Sequence, residues 1–418
     1  MSTDWTQSGF LESLSIIDPL RFYPPRPWAV LPEIRFHAIP SDRHFSHAPL
    51  PRGLYTTPDL SHAVTDLPVG RLEGDTVIVE DDRAASTLYN KGSHGTPESG
   101  GALRLSYLES AYLVDADRLK VEDGEGEEVT LEHLISSGGR TDPVFEVMYL
   151  VYRDMRERGY LVKPSTTPGV DFDVFPRGGN HKDSSRQWLL AVSERASFGT
   201  EPFLDMLHRA EKFDRRVLIG VVDEEGDVTH YVAQLREMGG TLPGEGKGML
   251  EGWAFEDRVL AFDLDAAEEL APPGHLGRRQ GDMHQLSLIE SAHLVETGHL
   301  KLKDAGTGQP MDGEAFLARV RERRPDFDLR FKVYRDLREN GLVVKTGFKY
   351  GTHFRAYDRD PDTEHAKFLI HAVPRDLETS WPELSRAVRL AHGVRKEMVF
   401  GAADADGVEY LKLRRVRP

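Results

Sequence analysis

A chain of 418 residues, 39% hydrophobic and 29% charged, carries apolar material for about two to four domains of ordinary soluble composition. It has no cysteine, which excludes disulfides, thiolate metal sites and cysteine nucleophiles. Its 53 basic against 69 acidic side chains, a net charge of −16, exclude a surface that is basic throughout, so a polyanion must be met by local patches.

No run approaches the roughly eighteen apolar residues of a membrane span, and Met1 to Gly9 lacks a signal-peptide pattern, which predicts a cytoplasmic address without membrane attachment. Residues 1–68 are rich in Pro, His and Arg (FYPPRPW, RFHAIPSDRHFSHAPLPRG) and show no periodicity. They read as an N-terminal extension in which no motif assigns a role.

From Val69 the chain repeats itself. VYRDMRERGYLVK at 151–163 matches VYRDLRENGLVVK at 333–345, 182 positions on, and Leu-Glu-Ser-Ala at 108–111 matches Ile-Glu-Ser-Ala at 289–292, 181 positions on. Gly226 after DEE answers Gly407 after DAD. Two units of one α/β (α+β) architecture follow, the first over 69–238 and the second over 239–418. Each divides into a small α/β N-terminal module (69–142 and 239–324) and an α/β module with a mixed sheet (143–238 and 325–418).

The small modules carry strand-like runs (LEGDTVIVEDD, LEGWAFEDRVLAF) around short helices, with SYLESAYLVDADRLKV answering SLIESAHLVETGHLKL. The larger module opens with an amphipathic helix. In unit two Leu329, Val333 and Leu337 step by four, and Gly341 suits a left-handed residue after the helix end. FRAY, ending at Tyr357, reads as a strand, DRDPDTE as a loop, and HAKFLIHAV as a buried strand that His365 opens. Ser380-Trp381-Pro382-Glu383 has the capping-box pattern, with Pro382 tolerable in the first turn. From that cap Leu384, Ala387, Val388, Ala391 and Val394 fall on one helix face. Arg386, Arg389, Gly393 and Lys396 fall on the other, a spacing that puts Arg389 and Lys396 on one side. The cations Lys412, Arg414, Arg415 and Arg417 close the chain.

Tyr357, His365 and Lys396 together could cleave a ribose phosphodiester without a metal. That reaction needs a base for the 2′-OH proton, an acid for the 5′-oxygen leaving group and a cation for the phosphorane. Histidine suits acid–base work near neutral pH, and tyrosine can act as base where a cation lowers its pKa. Each residue also has a plain structural role open to it: a core aromatic, a strand end and a solvated helix end.

The run YRDLRENGLVVKTGFKYGTHFRAY, followed by EHAKFLIHAVP, SRAVRLAHGVRKEMVF and ADADG, resembles the catalytic unit of archaeal tRNA-splicing endonucleases. The resemblance covers the C-terminal half nearly end to end and the preceding half more weakly. It implies that Tyr357, His365 and Lys396 form the catalytic triad, that Arg389 clamps a bulged base, and that Arg415 is the second clamp in competition with Arg414 and Arg417. It also implies a precursor-tRNA substrate with a bulge-helix-bulge, products with 2′,3′-cyclic phosphate and 5′-OH ends, and no cofactor or metal.

Unit one departs from that pattern. Phe175 stands where Tyr357 does, Arg215 where Lys396 does, and Asp183 or Ser184 where His365 does, with His181 nearby. This predicts a degenerate first unit that scaffolds a catalytic second one. The acidic tips Asp223-Glu224-Glu225 and Asp404-Ala405-Asp406 read as solvated turns with glycine in the left-handed position. The resemblance adds that such loops plug a basic pocket on a neighbouring subunit, and that two units per chain reach the family's four by a homodimer.

Competing chemistries fit less well. EHAK has the wrong spacing for a restriction-type metal nuclease, and there is no GxxxxGK[ST] loop. Zinc on His353, His365, His371 and His392 would have to arise among seventeen scattered histidines. The alternative of another class is a non-catalytic RNA-binding scaffold on the same fold.

Overall fold

The computed structural model of the chain describes residues 67–178, 184–241, 244 and 246–418, so the extension expected over 1–68 lies almost wholly outside the described residues. The first small module has strands β1 (Val69–Glu73), β2 (Thr76–Val79), β3 (Thr96–Pro97), β4 (Leu103–Ser106) and β5 (Lys120–Glu122) in the order β3-β4-β2-β1-β5. Helices α1 (Asp82–Gly92), α2 (Tyr107–Asp115) and α3 (Leu131–Thr141) accompany it. The larger module follows as α4 (Phe145–Glu157), β6 (Leu161–Pro164), β7 (Phe172–Phe175), β8 (Gln187–Ser193), β9 (Ser197–Gly199), α5 (Thr200–Lys212), β10 (Arg216–Val222) and β11 (Val228–Leu235).

Unit two repeats the plan. Its small module holds β12 (Leu250–Ala254), β13 (Arg258–Ala261), α6 (Leu264–Gly274), β14 (Arg278–Gln280), β15 (Met283–Ser287), α7 (Leu288–Glu296), β16 (Leu300–Asp304), β17 (Pro310–Met311) and α8 (Gly313–Arg323). The larger module holds α9 (Phe327–Glu339), β18 (Val343–Thr346), β19 (Phe354–Tyr357), β20 (Phe368–Pro374), β21 (Glu378–Ser380), α10 (Trp381–Gly393), β22 (Glu397–Ala403) and β23 (Val408–Val416). On α9, Val333 and Leu337 are buried and Leu329 is half-buried, as their spacing requires, and Gly341 is left-handed at φ 78°.

The two mixed sheets are one. Strands run β18-β19-β20-β22-β23-β11-β10-β8-β7-β6, a near-palindrome joined by the antiparallel pair β23 and β11. Within each half the parallel pair (β20 with β22, β8 with β10) is bridged by its helix. Helices cover both faces there, so β22 (EMVFGAA) and β10 (RVLIGVV) are almost continuously buried rather than alternating. One core runs across the junction, joining Leu204, Leu207 and Tyr231 to Leu384, Val388 and Leu413. Trp381 packs edge-on against Phe198 at 5.5 Å, and the Tyr231 hydroxyl meets Ser385 Oγ at 2.7 Å. With each buried large apolar side chain contributing about 1.5–3 kcal/mol, the halves are fused by packing as much as by the peptide chain.

A polar hinge repeats as well. Ser287 and Glu290 form a capping box at the start of α7, and Ser106 and Glu109 form one at the start of α2. Glu290 Oε1 also accepts from Lys345 Nζ at 2.9 Å and from Gly277 N at 3.0 Å, which ties the small module to β18. Gly277 sits at φ 64°, and a Cβ there would lie 2.3 Å from His284 Nε2, so the close approach requires glycine.

Two local expectations fail. Ser380 starts α10 without a side-chain cap bond. Gly407 is not left-handed, whereas Gly226 is, at φ 83°. The second tip is one residue shorter (404–407 against 223–227), and Asp404 closes it by accepting from Asp406 N and Gly407 N.

Candidate active site

Tyr357 is the last residue of β19, half-buried, with the Arg355 guanidinium 5.9 Å from its ring centre. His365 does not open β20. It is exposed in the preceding loop, three residues before Phe368. The physical reason is that β19 ends at Tyr357: the last paired rung is Ala356↔Phe368, so residues before Lys367 have no neighbouring strand. The loop is held instead by Thr241 N donating to Asp358 O, by Lys367 with Asp358, and by His275, which stands 3.6 Å from Asp360 and 3.9 Å from Asp362.

Lys396 is likewise not on the helix face. Helix α10 ends at Gly393, Arg395 turns left-handed at φ 56°, and Lys396 N closes onto Ala391 O as the chain reverses into β22. Val394 is therefore 40% exposed rather than apolar-packed. Asp214 repeats this conformation in unit one at φ 52°, so the reversal belongs to the fold.

The parallel rung Phe368↔Glu397 then brings Lys396 beside the His365 loop. Lys396 Nζ donates to Ala366 O at 2.5 Å, one residue past His365, and lies 5.7 Å from the Tyr350 ring centre. His365 and Lys396 line a common open cleft of about 490 Å³ with Asp358, the residue after Tyr357. His365 and Lys396 are thus brought together where β20 and β22 begin, while Tyr357 ends the adjacent β19 without lining this cleft. Lys396 also lines a second cleft, of about 660 Å³, with His392, Arg395, Lys412, Arg414 and Arg415.

Arg389 is not brought to either cleft. It is exposed on α10 and donates to Ser385 Oγ at 3.0 Å. The histidines do not gather for zinc: the half-buried His353 and the buried His371 approach with ring centroids 5.1 Å apart, while His365 and His392 are exposed. In unit one, Phe175 is half-buried, Arg215 caps carbonyls of its own turn (Phe213, Asp214) and Ser184 is exposed; Asp183 and His181 lie outside the described residues. Sequence reasoning missed Tyr350, which stands beside Lys396 and whose signal was the KYG run beside a lysine-bearing turn.

Both acidic tips lie where expected, between β10 and β11 and between β22 and β23. Asp223 Oδ1 organises its own turn by accepting from Glu225 N and Asp227 N, and Glu224 pairs with Arg195. Asp404 is held within its unit by Arg375 at 3.5 Å, and its carbonyl accepts from Lys332.

A cavity of about 500 Å³ between the small and large modules of unit two is lined by Arg278, Arg324, Arg330, Lys345, His353 and Arg355. Arg330 Nε, His353 Nε2 and Arg355 Nε are buried there without a hydrogen-bond partner. Burial, with the Arg330 charge beside it, holds His353 well below the usual histidine range and His371 at about 3. In unit one the matching positions are Thr96, Asp142, Met148, Lys163, Asp171 and Asp173, so the charge is inverted. Asp171 Oδ2 accepts from Ala191 N as His353 Nδ1 accepts from Ala372 N.

Comparison with known proteins gives the arrangement its class. The family described as tRNA intron endonuclease, catalytic C-terminal domain, matches residues 145–230 and 327–410, and its N-terminal domain matches 69–135 and 251–317. The chain is 37% identical to the tRNA-splicing endonuclease of Methanococcoides burtonii over 82% of its length and 98% of the relative's. It is 35% identical to that of Methanosarcina acetivorans (83% and 99%) and 31% identical to that of Haloferax volcanii (84% and 99%). The fold is therefore that of two tandem N-terminal and catalytic domain pairs. The chain belongs to the tRNA intron endonuclease family and is an endonuclease of that family.

Proposed function

We propose that this enzyme excises introns from precursor tRNA at bulge-helix-bulge sites by metal-independent transesterification, in the cytoplasm. The observation that carries the reading is the bond from Lys396 Nζ to Ala366 O, which fixes a cation beside the His365 loop at the end of β19. Tyr357 takes the 2′-OH proton, and the 2′-oxygen attacks phosphorus. As the 2′-O–P bond forms and the P–O5′ bond breaks, His365 gives its proton to the departing 5′-oxygen. Lys396 stabilises charge on the pentacoordinate phosphorus. The products are a 2′,3′-cyclic phosphate and a 5′-OH.

Arg389 and Arg415 grip unpaired bulge bases by planar stacking. Arg389→Ala should then weaken substrate binding by about 1–3 kcal/mol, the scale of one stacked base, with an unchanged melting temperature. Unaltered cleavage kinetics would sink the clamp.

Two chains pair as a homodimer. Asp223-Glu224-Glu225 of one chain docks in the cationic cavity of its partner's second unit, a direction supported by the inverted charge of unit one. The other tip, around Asp404 and Asp406, stays engaged with Lys332 and Arg375 of its own unit.

The test is cleavage of an intron-containing precursor tRNA in EDTA, which also strips any cation from the His275, Asp360 and Asp362 cluster. Discrete cuts ending in cyclic phosphate are expected. Cleavage that appears only with magnesium overturns the metal-free triad, and binding without cleavage under any condition leaves a scaffold.

A further inference from the structure

We propose that Arg236, contributed by the first unit, is a positioning residue for the chemistry of the second. With Lys412 it holds the Glu397 carboxylate against the wall of the larger cleft, so that the Lys396 ammonium faces substrate and not a neighbouring anion. The inference rests on the role given to Lys396 above.

Glu397 follows Lys396 in the chain and is the one carboxylate among the described residues lining a cleft otherwise rich in cations. Its Oε1 lies 3.0 Å from Lys412 Nζ and its Oε2 lies 3.5 Å from Arg236 Nε. Both Oε2 and that Nε are buried and neither has a hydrogen-bond partner, so the two charges face each other directly at that distance. Attraction is stronger there than at an open surface.

Arg236 can do this because the junction of the two halves places it. It comes one residue past the rung Leu235↔Leu411, and its N–H donates to Tyr410 O at 2.8 Å. Its guanidinium rests 5.4 Å from the centre of the Phe368 ring, and Phe368 is paired with Glu397 across β20 and β22. Unit one, with Arg216 at the position matching Glu397, has no such carboxylate to restrain.

Without Arg236 the carboxylate is held on one side only and is free to turn toward Lys396 or Arg395. There it would cancel the cation meant for the phosphorane and repel the incoming phosphate. The degenerate half is then more than a scaffold, since it screens an anion beside the working site.

The experiment is single-turnover cleavage of a precursor tRNA transcript by full-length dimers, with transcript affinity measured in parallel. Arg236→Ala should cleave about tenfold more slowly with affinity within about threefold of wild type, a loss confined to the transition state. Glu397→Gln should cleave at least as fast as wild type. The double variant should recover to within about threefold of Glu397→Gln, because the anion to be screened is gone. An Arg236→Ala enzyme as fast as wild type overturns the proposal. So does a double variant that stays as slow as Arg236→Ala, which would mean that Arg236 serves only the fold. A wild-type enzyme that binds but does not cut would overturn the endonuclease chemistry instead.

Discussion

Alanine at His365 is expected to slow cleavage of precursor tRNA by about 10²–10⁴-fold, the range for loss of a positioned proton donor. The side chain is exposed and its loop is anchored by other residues, through Asp358, Asp360 and Asp362, so the melting temperature should not move. Lys396 would keep its bond to the Ala366 carbonyl, which involves backbone alone on that side. A substrate with sulfur in place of the bridging 5′-oxygen separates the acid from other roles, because a thiolate leaves without a proton. On that substrate His365→Ala and wild type should cut at rates within about tenfold of each other. An undiminished defect on the thio-substrate would show that His365 does not protonate the leaving group.

Lys345→Met should produce the largest loss of stability, about 3–5 kcal/mol, since it leaves a buried carboxylate without its cation. Glu290 is almost fully buried, and Lys345 Nζ lies 2.9 Å from its Oε1. Burial alone would push the Glu290 carboxyl up, but Lys345 and the Ser287 hydrogen bonds outweigh it and hold the group below its ordinary value of 4.5. A carboxyl with a depressed folded-state pKa contributes stability that is present above the unfolded value and lost as pH falls through the folded one. In the variant burial is no longer opposed by the lysine, and the carboxyl should move up. The gap between wild type and variant, measured by urea unfolding, is therefore expected to be widest above the variant's raised value and to narrow as pH falls through it toward the depressed value of the wild type. A gap that widens in acid would mean that Lys345 acts by packing and not by charge. Lys163 and Glu109 form the same link in unit one at 3.4 Å, and a longer contact predicts a smaller loss there.

The repeat, the strands and the amphipathic helices were legible because each leaves a periodic mark. Val333 and Leu337 are fully buried on the face their spacing defines, and Tyr357 ends its strand as FRAY indicated. The sequence marks His365 and Lys396 as candidates but not the loop and the turn on which they lie. Where β20 begins depends on where β19, its neighbour, ends. Where α10 stops depends on Arg395 adopting a left-handed turn, which arginine does not advertise as glycine does.

The fused sheet was not legible at all. Strands β11 and β23 are ordinary runs, and nothing in Gln234 or Lys412 marks them as partners across 178 positions. For the same reason Arg236 could not be seen beside Glu397. The cationic cavity was hidden because Arg278, Arg330 and Arg355 come from three separate elements, although aligning the units shows its charge inversion once the positions are known.

The pairing of β11 with β23 also has a consequence for synthesis on the ribosome. Strand β11 emerges complete while its partner is still 178 codons away. At about 5–20 residues per second the first half waits roughly 10–35 s with a bare edge. A bare edge is a template for any other strand within reach, including the same strand on a neighbouring nascent chain of the polysome. Arg236 and Glu237, directly after β11, put opposite charges at the end of that edge, where a wrongly recruited strand would have to extend the ladder. Slowing translation after codon 238 should therefore raise the yield of misassembled oligomers, and a ribosome that moves quickly through the second half acts as this sheet's chaperone.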